Sequence, residues 1–162
     1  YAYKRVLRWA HLRQHAENAA LFYALVRGSA FAATRAAQSI PSGTPTLMVF
    51  DTEEFDDTAV YNASTGRFTC AVAGIYLVVA NVTLDLSNST TVKTAQILLY
   101  KNGSSFLAGN LHHDLTSSGD DSKEIYAMVD LAVGDYLEIF MSHDNAVDTD
   151  AGGDFGVVRV LP

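Results

Sequence analysis

The sequence has a single cysteine, Cys70, among its 162 residues. One cysteine cannot form a disulfide within the chain, so a stable fold must depend on a packed core. A chain of this length can bury such a core, and it normally forms one domain with at most an appendage. Because the neighbours of Cys70 are apolar and strand-like, we expect this residue to be a small buried side chain.

Long apolar runs are also missing. The longest helical candidate, AALFYALV at residues 19–26, is bracketed by Glu17 and Arg27. It falls short of the roughly eighteen apolar residues that a membrane span needs. The sequence therefore predicts no transmembrane segment.

Combinations of residues that would indicate catalysis are absent too. No Ser-His-Asp, Cys-His or paired-carboxylate arrangement can be assigned from the spacing along the chain. We therefore predict no catalytic residues and no enzymatic activity.

Basic residues are scarce in most of the chain. Residues 1–46 carry six basic groups and one acidic group, a net charge of +5, whereas residues 47–162 carry five basic and seventeen acidic groups, a net charge of −12. An acidic domain repels the phosphate backbone, so we expect no nucleic-acid binding by the C-terminal part. The basic N-terminal part could meet an acidic protein surface, a membrane surface or nucleic acid.

The N-terminal part has the composition of a helix. Proline and glycine are absent from Tyr3 to Arg27, where alanine, leucine and arginine are frequent, and we predict a helix over residues 1–38. Its apolar residues recur at steps of three and four, which is the spacing of a coiled-coil seam. Other apolar residues would widen this surface, so a stalk and a helix docked on a larger partner both remain open. The seam consists of Trp9, Leu12, Ala16, Ala19, Tyr23, Val26, Ala30 and Ala33.

The remainder of the chain has the pattern of a β protein. The segment SIPSGTPT, residues 39–46, predicts a linker because it combines two prolines, a glycine and hydroxyl residues. Short apolar or alternating runs separated by turn residues then recur through residues 47–162, which predicts a sandwich or jelly roll. The Asn102-Gly103 pair lies between two apolar runs and predicts a tight hairpin, whose turn needs positive φ at both central residues.

One predicted strand, GIYLVVANVTL at residues 74–84, is apolar on both faces. Such a strand is covered on both sides. The second cover could be the edge of the facing sheet, a neighbouring subunit or a loop of the same chain. The two faces are Ile75, Leu77 and Val79 on one side, and Tyr76, Val78, Ala80 and Val82 on the other.

The stretch YNASTGRFTCAVAGIYLVV, residues 61–79, resembles the signature of the complement C1q globular-head family, which is related in fold to tumour necrosis factor. In that signature a turn with glycine leads into Phe-x-Cys, then into Pro-Gly-hydrophobic-Tyr and an apolar strand. Ala73 stands here in place of the proline. LLYKNG resembles the mid-domain hairpin of the family, and LAVGDYLEI resembles its Leu-x-Val-Gly-Asp turn. The matching signature residues are Gly66, Phe68, Cys70, Gly74 and Tyr76, and Phe155 matches the phenylalanine of the last strand.

The resemblance covers residues 47–162 and implies an all-β, ten-stranded jelly-roll sandwich, here preceded by the N-terminal helix. It also implies assembly into a homotrimer, in which each subunit presses one patch onto a different patch of the next. No Gly-X-Y collagen stalk precedes the head, and similar heads occur on bacteriophage and bacterial surface proteins. We assign to the subunit contact the face formed by Tyr76, Val78, Ala80 and Val82.

Two acidic loops are candidate ligand sites. Some members of the family bind calcium near the trimer axis, and three copies of the loop HHDLTSSGDDSKE could supply the six to eight oxygen ligands that calcium prefers. This loop lacks a fixed calcium-binding spacing, so solvated surface acids are the alternative, and we expect no other cofactor. The candidate residues are Asp114, Asp120 and Asp121 for the metal, and Asp144, Asp148 and Asp150 in the second loop, HDNAVDTDAGGD, for a ligand.

Together these features predict a trimeric structural or adhesive head displayed on a virion, such as a phage head or tail appendage, or on a similar particle. The N-terminal helix would anchor it to a larger assembly, and its loops would meet host glycans or surface proteins. There are two alternatives. One is a secreted C1q/TNF-like ligand or pattern-recognition protein acting outside the cell, and the other is a capsid-cementing protein without a ligand.

Overall fold

The structure is a computed structural model. It describes residues 30–85, 92–115, 120–144 and 147–161. These ranges contain eleven strands and no helix. The strands are β1 (Ala30–Ile40), β2 (Thr46–Leu47), β3 (Thr52–Asp56), β4 (Tyr61–Asn62), β5 (Arg67–Thr69), β6 (Gly74–Leu84), β7 (Val92–Lys101), β8 (Ser104–Leu115), β9 (Asp121–Leu131), β10 (Tyr136–His143) and β11 (Thr149–Leu161).

The strands form two antiparallel sheets that pack face to face. The five-stranded sheet has the order β3-β1-β11-β6-β9. The six-stranded sheet has the order β4-β5-β10-β7-β8, with β2 paired to β10. Between them lies one apolar core, to which both sheets contribute alternate residues.

Strand β1 corrects the predicted helix over residues 1–38. From Ala30 onward that prediction is wrong, because Ala30–Ile40 pairs with β11 on one side and β3 on the other. Phe31 and Ala33 point into the core, which is the alternation of a strand. Alanine favours a helix only weakly, so pairing with two strands overrides it. The predicted linker over residues 39–46 is therefore too long, and the jelly roll begins before residue 47.

The core is rich in aromatic rings. Phe155 packs edge-on against Phe31 with ring centroids 4.9 Å apart, and Tyr61 stacks on Phe31 at 4.6 Å. Phe68, predicted to be buried, stacks on the same Phe31 ring at 5.5 Å. Each such pair contributes about 0.5–1.5 kcal/mol beyond its buried area. Phe31, which precedes the sequence signature, thus contacts the signature residues Phe68 and Phe155, one from each sheet.

Strand β6 turns the Tyr76 face into the core of its own chain, which corrects the predicted subunit contact. A side chain with no exposed surface in its own chain cannot reach a neighbour, so the assignment of this face to an interface is wrong. The Tyr76 hydroxyl donates to the Val72 carbonyl, and the Sγ atom of Cys70 lies 3.6 Å from that hydroxyl. The residues concerned, between 0% and 1% exposed, are Tyr76, Val78, Ala80 and Val82.

The two ends of the sandwich differ. At one end, called here the terminal end, Ala30 pairs with Val158 and Leu161 pairs with Ile75, so β1 begins where β11 ends. The turns that follow β5, β7 and β9 lie at the same end. At the opposite end, called here the loop end, Leu84 pairs with both Asp121 and Ala151. The two acidic loops of the sequence are among the strand connections at the loop end.

Candidate interaction surface

The five-stranded sheet has an outer face, turned away from the core, on which two neighbouring cross-strand rows are apolar. Strand register places Leu77 between Val158 and Met128, and it places Val79 between Gly156 and Tyr126. Leu77 and Val79 are on the opposite side of β6 from Tyr76. The first row is Ala30, Val158, Leu77 and Met128, and the second row is Phe55, Ala32, Gly156, Val79 and Tyr126.

A shallow apolar groove of about 210 Å³ runs through these rows. Gly156 has no side chain, so the outer surface of the sheet is depressed there relative to the neighbouring residues. Phe55, Val79 and Val158 border it and are 47%, 38% and 38% exposed. Contiguous exposed apolar side chains make this groove a candidate contact surface. The Gly156 groove, as it is called below, is lined by Ala30, Ala32, Phe55, Leu77, Val79, Gly156 and Val158.

The β9 ends of these two rows continue onto the other edge strand, β8, and this part of the apolar surface is called here the edge patch. The two sheets approach each other closely there, because a Cβ atom on Gly109 would lie 3.0 Å from the Glu124 carbonyl oxygen. Large apolar side chains remain exposed on both strands near this approach. They are Phe106, Leu107, Tyr126 and Met128.

The outer face becomes polar toward the loop end. Asn81 Nδ2 donates to Glu124 Oε1 at 3.2 Å, and the Tyr126 hydroxyl donates to Glu124 Oε2 at 3.0 Å. This hydrogen bond to the carboxylate raises the pKa of Tyr126, because it is made by the protonated hydroxyl and would be lost on ionisation. Glu124 therefore marks the boundary between the apolar rows and a polar half of the same face.

That polar half contains a second, open groove of about 400 Å³. Gly152 and Gly153 are among its lining residues, and only glycine fits there, because a Cβ atom on either would lie within 2.4 Å of a carbonyl oxygen of Ala36 or Asn81. Arg35 is at its rim and forms an ion pair with Asp51. The side chains that give the groove its acidic character are Asp85, Asp120, Asp150 and Asp154.

Of the three predicted metal residues, the structure describes the side chain of only one. Asp120 is exposed and lines the acidic groove, while the side chains of Asp114 and Asp121 lie outside the described part of the chain. Within the described ranges, no three His, Cys, Asp or Glu side chains are close enough together to hold a metal ion. A calcium site therefore stays a prediction.

The three aspartates of the predicted ligand loop have two different roles. Asp150 lies in the acidic groove beside Asp120, so the structure brings together one residue from each acidic loop. Asp144 Oδ1 instead accepts from the Thr94 amide at 2.8 Å, and Asp148 Oδ1 accepts from the Ser42 amide at 3.3 Å. These two carboxylates thus hold neighbouring backbone segments together at the loop end.

Sequence reasoning placed Leu77 and Val79 on an apolar face of the predicted strand, but it assigned the contact to the opposite face and missed the other residues of the Gly156 groove. One signal was available, since an isolated glycine inside the apolar strand DFGVVRVL indicates a bulge or a close approach of another surface. Tyr126 and Met128 alternate with the core residues of β9, which already placed them on its outer side. The contributions of Phe55 and Val158 depend on strand order, and no local pattern indicates them.

Two packed antiparallel sheets with this strand order define a jelly-roll sandwich of the C1q/TNF type. The C1q domain family model matches residues 30–154, and the chain belongs to this family. The family resemblance of the sequence is thereby confirmed, with the domain beginning at residue 30 rather than 47.

Similar proteins agree with this assignment. Over 123 residues the chain is 30% identical to complement C1q tumor necrosis factor-related protein 5 of Rattus norvegicus, a match that covers 70% of this chain and 48% of the rat protein. The chain thus spans about half the length of this curated relative.

Solved structures show the same fold at low sequence identity. The globular domain of zebrafish complement 1qA superposes with a TM-score of 0.61 at 17% identity, covering 82% of this chain and 98% of that one. Murine APRIL gives a TM-score of 0.60 at 15% identity, covering 82% and 98%. Eiger TNF from S. frugiperda gives 0.60 at 15% identity, covering 82% and 92%. Across the described ranges, no helix has the length and apolar character needed to cross a membrane.

Proposed function

We propose that the chain is the recognition head of an extracellular C1q/TNF-like protein, and that it binds its target as a homotrimer and catalyses no reaction. One observation carries the proposal. The outer face of the five-stranded sheet has two apolar rows and a groove at Gly156 that no residue in the described ranges covers. Burial of this surface against another copy would remove its apolar side chains from water.

The two apolar surfaces of one subunit suit a closed ring. The contacts in a three-fold assembly are heterologous. Each subunit therefore uses one surface to contact one neighbour and a different surface to contact the other. The Gly156 groove is concave, while the edge patch offers the projecting side chains of Phe106, Tyr126 and Met128. We therefore assign the edge patch of one copy to the Gly156 groove of the next.

The loop end is the candidate surface for the target. It is opposite the point where residues 1–29 join the head, so a tether at the terminal end leaves the loop end free. Asp120 and Asp150 make this surface acidic around an open groove that two glycines also line. A glycan or a surface protein with a cationic group is the ligand class that fits, and three weak sites on one head would gain avidity.

The extracellular reading is better supported than display on a virion. The curated relative is by its printed name a C1q tumor necrosis factor-related protein, and among the solved structures are a complement head and TNF-like proteins. Anchoring to a particle depends on residues 1–29, which lie outside the described residues. Display on a virion and a capsid-cementing role therefore stay predictions without an observation in their favour.

Sedimentation of the whole chain tests the homotrimer. We expect a species of three 17.5 kDa chains. The Val158→Asp variant places a charge in the Gly156 groove and should sediment as a monomer, since an unpaired buried charge is costly. Val133→Asp is the matched control, because Val133 is 68% exposed in the turn after β9, away from both apolar surfaces.

A wild-type chain that sediments as a folded monomer at micromolar concentration would refute the proposal. A trimer that survives Val158→Asp unchanged would refute the assignment of the Gly156 groove. Loss of the trimer in both variants would also count against that assignment, because Val133 is outside the surface.

A further inference from the structure

We infer that the outer face of the six-stranded sheet holds a second binding site, and that its ligand is a neutral sugar ring of a glycan. The site is separate from the loop end, from the Gly156 groove and from the edge patch. A buried carboxylate forms its centre, with a stacked guanidinium on one side and two stacked aromatic rings on the other. The residues are Arg67, Tyr100, Tyr136, Glu138 and Phe140.

Strand β10 supplies the middle of this site. Leu137 and Ile139 lie in the core with no exposed surface, so the residues that alternate with them along β10 point outward. Strand register places Arg67 of β5 and Tyr100 of β7 on the two sides of Glu138. These three side chains therefore form one row across the outer face of the sheet.

One oxygen of the central carboxylate has no hydrogen-bond donor within the described ranges. Glu138 is only 6% exposed, and Arg67 donates to a single one of its oxygens. Nε and Nη2 of Arg67 both donate to Oε1, at 3.1 and 2.8 Å. A buried carboxylate oxygen is costly when it is left without a donor, so Oε2 needs a donor from water or from a ligand. A ligand hydroxyl that replaces this water keeps the hydrogen bond.

The guanidinium beside Glu138 is held in place and still has a donor for a ligand. The central carbon of the Arg67 guanidinium lies 3.8 Å from the centre of the Tyr136 ring, and its ion pair with Glu138 fixes one edge. The Arg67 side chain is 40% exposed, and its Nη1 donates to no residue in the part of the chain that the structure describes. The ion pair therefore offers a donor at Nη1 and an acceptor at Oε2, which two neighbouring hydroxyls of a sugar can both use.

Aromatic rings lie next to this ion pair. The rings of Tyr100 and Phe140 stack with their centroids 4.3 Å apart and 30° between their planes, and both side chains are partly exposed. Together they form an apolar surface larger than a single ring, and the Tyr100 hydroxyl gives it a polar rim. A sugar ring carries C–H groups on a face and hydroxyls around its edge. It can therefore pack on the rings while its hydroxyls reach the ion pair.

Charge disfavours the other classes of small ligand. The Glu138 carboxylate repels an anion, and the fixed Arg67 guanidinium repels a cation. Residues 47–162 carry a net charge of −12, which disfavours acidic and sulfated sugars further. The site therefore favours a neutral ligand that has hydroxyl groups and an apolar face, and a neutral hexose has both.

The site stays open in the proposed homotrimer. The contact assigned to the trimer uses the outer face of the five-stranded sheet, whereas these residues lie on the other outer face of the sandwich. All of them come from one chain, so binding of a single sugar does not depend on assembly. A trimer would carry three such sites and would gain avidity for a branched glycan.

Saturation-transfer NMR on the full chain tests the inference. The probes are the methyl glycosides of glucose, galactose, mannose and N-acetylglucosamine. We expect at least one to bind with a dissociation constant in about the millimolar range, as a ligand of this size does. Glu138→Gln removes the charged acceptor and keeps the shape, so it should weaken binding of that probe at least about tenfold. Tyr100→Val removes one ring, keeps a residue suited to a strand and should weaken binding comparably.

Two further variants are matched controls. Gln96→Ala changes a partly exposed side chain on the same face of β7, beyond the aromatic pair, and should bind as the wild type does. Phe140→Tyr keeps the stacked rings and should also bind. Thermal unfolding of each variant reports whether it is folded. Glu138→Gln and Tyr100→Val change different parts of the site, so either one, if folded, is a sufficient test.

The outcomes separate this site from the proposed function. Absence of binding by all four probes, or unchanged binding in a folded Glu138→Gln or Tyr100→Val chain, would overturn the inference. Binding that is lost in Asp150→Asn and kept in those two variants would place the sugar in the acidic groove at the loop end and would also overturn it. Val158→Asp should bind the probe as tightly per chain as the wild type, so failure of the homotrimer leaves this site intact.

Discussion

Gly156 and Val79 are register partners on the neighbouring strands β11 and β6, and the missing side chain of Gly156 forms the groove beside Val79. A Cβ atom at Gly156 would lie 3.5 Å from the Phe31 carbonyl oxygen and 3.9 Å from the Ala32 Cβ, which is ordinary contact. The glycine is therefore not needed by the subunit itself. Its effect is the concave outer surface.

The Gly156→Val variant tests whether a neighbour occupies that groove. The valine suits a strand and adds apolar surface, so the subunit should fold, but its side chain fills the groove. We expect the trimer dissociation constant to rise at least tenfold, which corresponds to about 1.4 kcal/mol. Sedimentation equilibrium over a concentration series measures it, with Ala132→Val in an exposed turn as the control. A dissociation constant of Gly156→Val that equals that of the wild type would show that the groove is not part of the contact.

The Tyr76→Phe variant tests the corrected position of Tyr76. Loss of the hydroxyl removes the hydrogen bond to the Val72 carbonyl, so we expect unfolding to become easier by about 1 kcal/mol, without a change in oligomeric state. Tyr136→Phe is the control, because Tyr136 is half-buried, lies outside both apolar surfaces and makes no hydrogen bond through its hydroxyl within the described ranges, so the change costs less than about 0.5 kcal/mol. Urea unfolding at one protein concentration compares the two. A loss of the trimer with unchanged subunit stability would restore Tyr76 to the interface.

The Asp56 carboxylate organises the turn into β4. Its Oδ1 accepts from the Val60 amide at 3.0 Å and its Oδ2 accepts from the Tyr61 amide at 2.9 Å, which positions the Tyr61 ring in the core. The Thr58 amide also donates to Oδ1, at 3.3 Å. Asp56→Ala should lower the free energy of unfolding by about 1–3 kcal/mol, since it leaves three backbone donors without these acceptors. Asp57→Ala, at the exposed neighbouring position, should change it by less than about 0.5 kcal/mol. Equal effects in thermal or urea unfolding would contradict this role.

Asp135 makes the stability of the folded protein depend on pH through contacts at the terminal end. Hydrogen bonds from Asn102 Nδ2 at 2.8 Å and the Ala132 amide at 2.9 Å, with Lys101 Nζ at 3.1 Å, lower the pKa of Asp135 to about 2. The folded state therefore binds this proton less readily than the unfolded state. The resulting stabilisation is present above the unfolded pKa of 3.8 and is lost as the pH falls through about 2.

The Asp135→Asn variant should therefore melt at a lower temperature than the wild type at pH 5 to 7. The difference should narrow as the pH falls from about 4 to 2, as the wild-type carboxylate takes up its proton. Asp130→Asn changes an exposed aspartate at the end of β9 and is the control. A difference between wild type and Asp135→Asn that stays constant down to pH 2 would contradict the assignment.

Local chemistry made part of the fold predictable. The Asn102-Gly103 hairpin is confirmed, with φ of 53° and 76° at the two residues, because only glycine and asparagine tolerate such values readily. Phe68 and Cys70 are in the core as expected, since a short alternating run fixes which of its residues share a face. The family signature was readable for the same reason, as it consists of turns and buried positions close together in the chain.

Long-range pairing made the rest unpredictable. The alanine-rich residues after Gly28 favour a helix in isolation, and only their pairing with β11, more than one hundred residues later, makes them a strand. Asp120 and Asp150 come from separate loops, and their shared groove depends on the path of three strands. No local pattern contains that information.

The amino-acid sequence by itself determined where this chain turns, which residues alternate and which family it resembles, because turn geometry and strand periodicity act over a few neighbouring residues. Only the tertiary structure decided which apolar face of β6 lies in the core. Tyr76 and Val79 are equally apolar to local reasoning, and the packing of β6 between β9 and β11 against the facing sheet buries one and exposes the other. The candidate contact surface follows from that single choice.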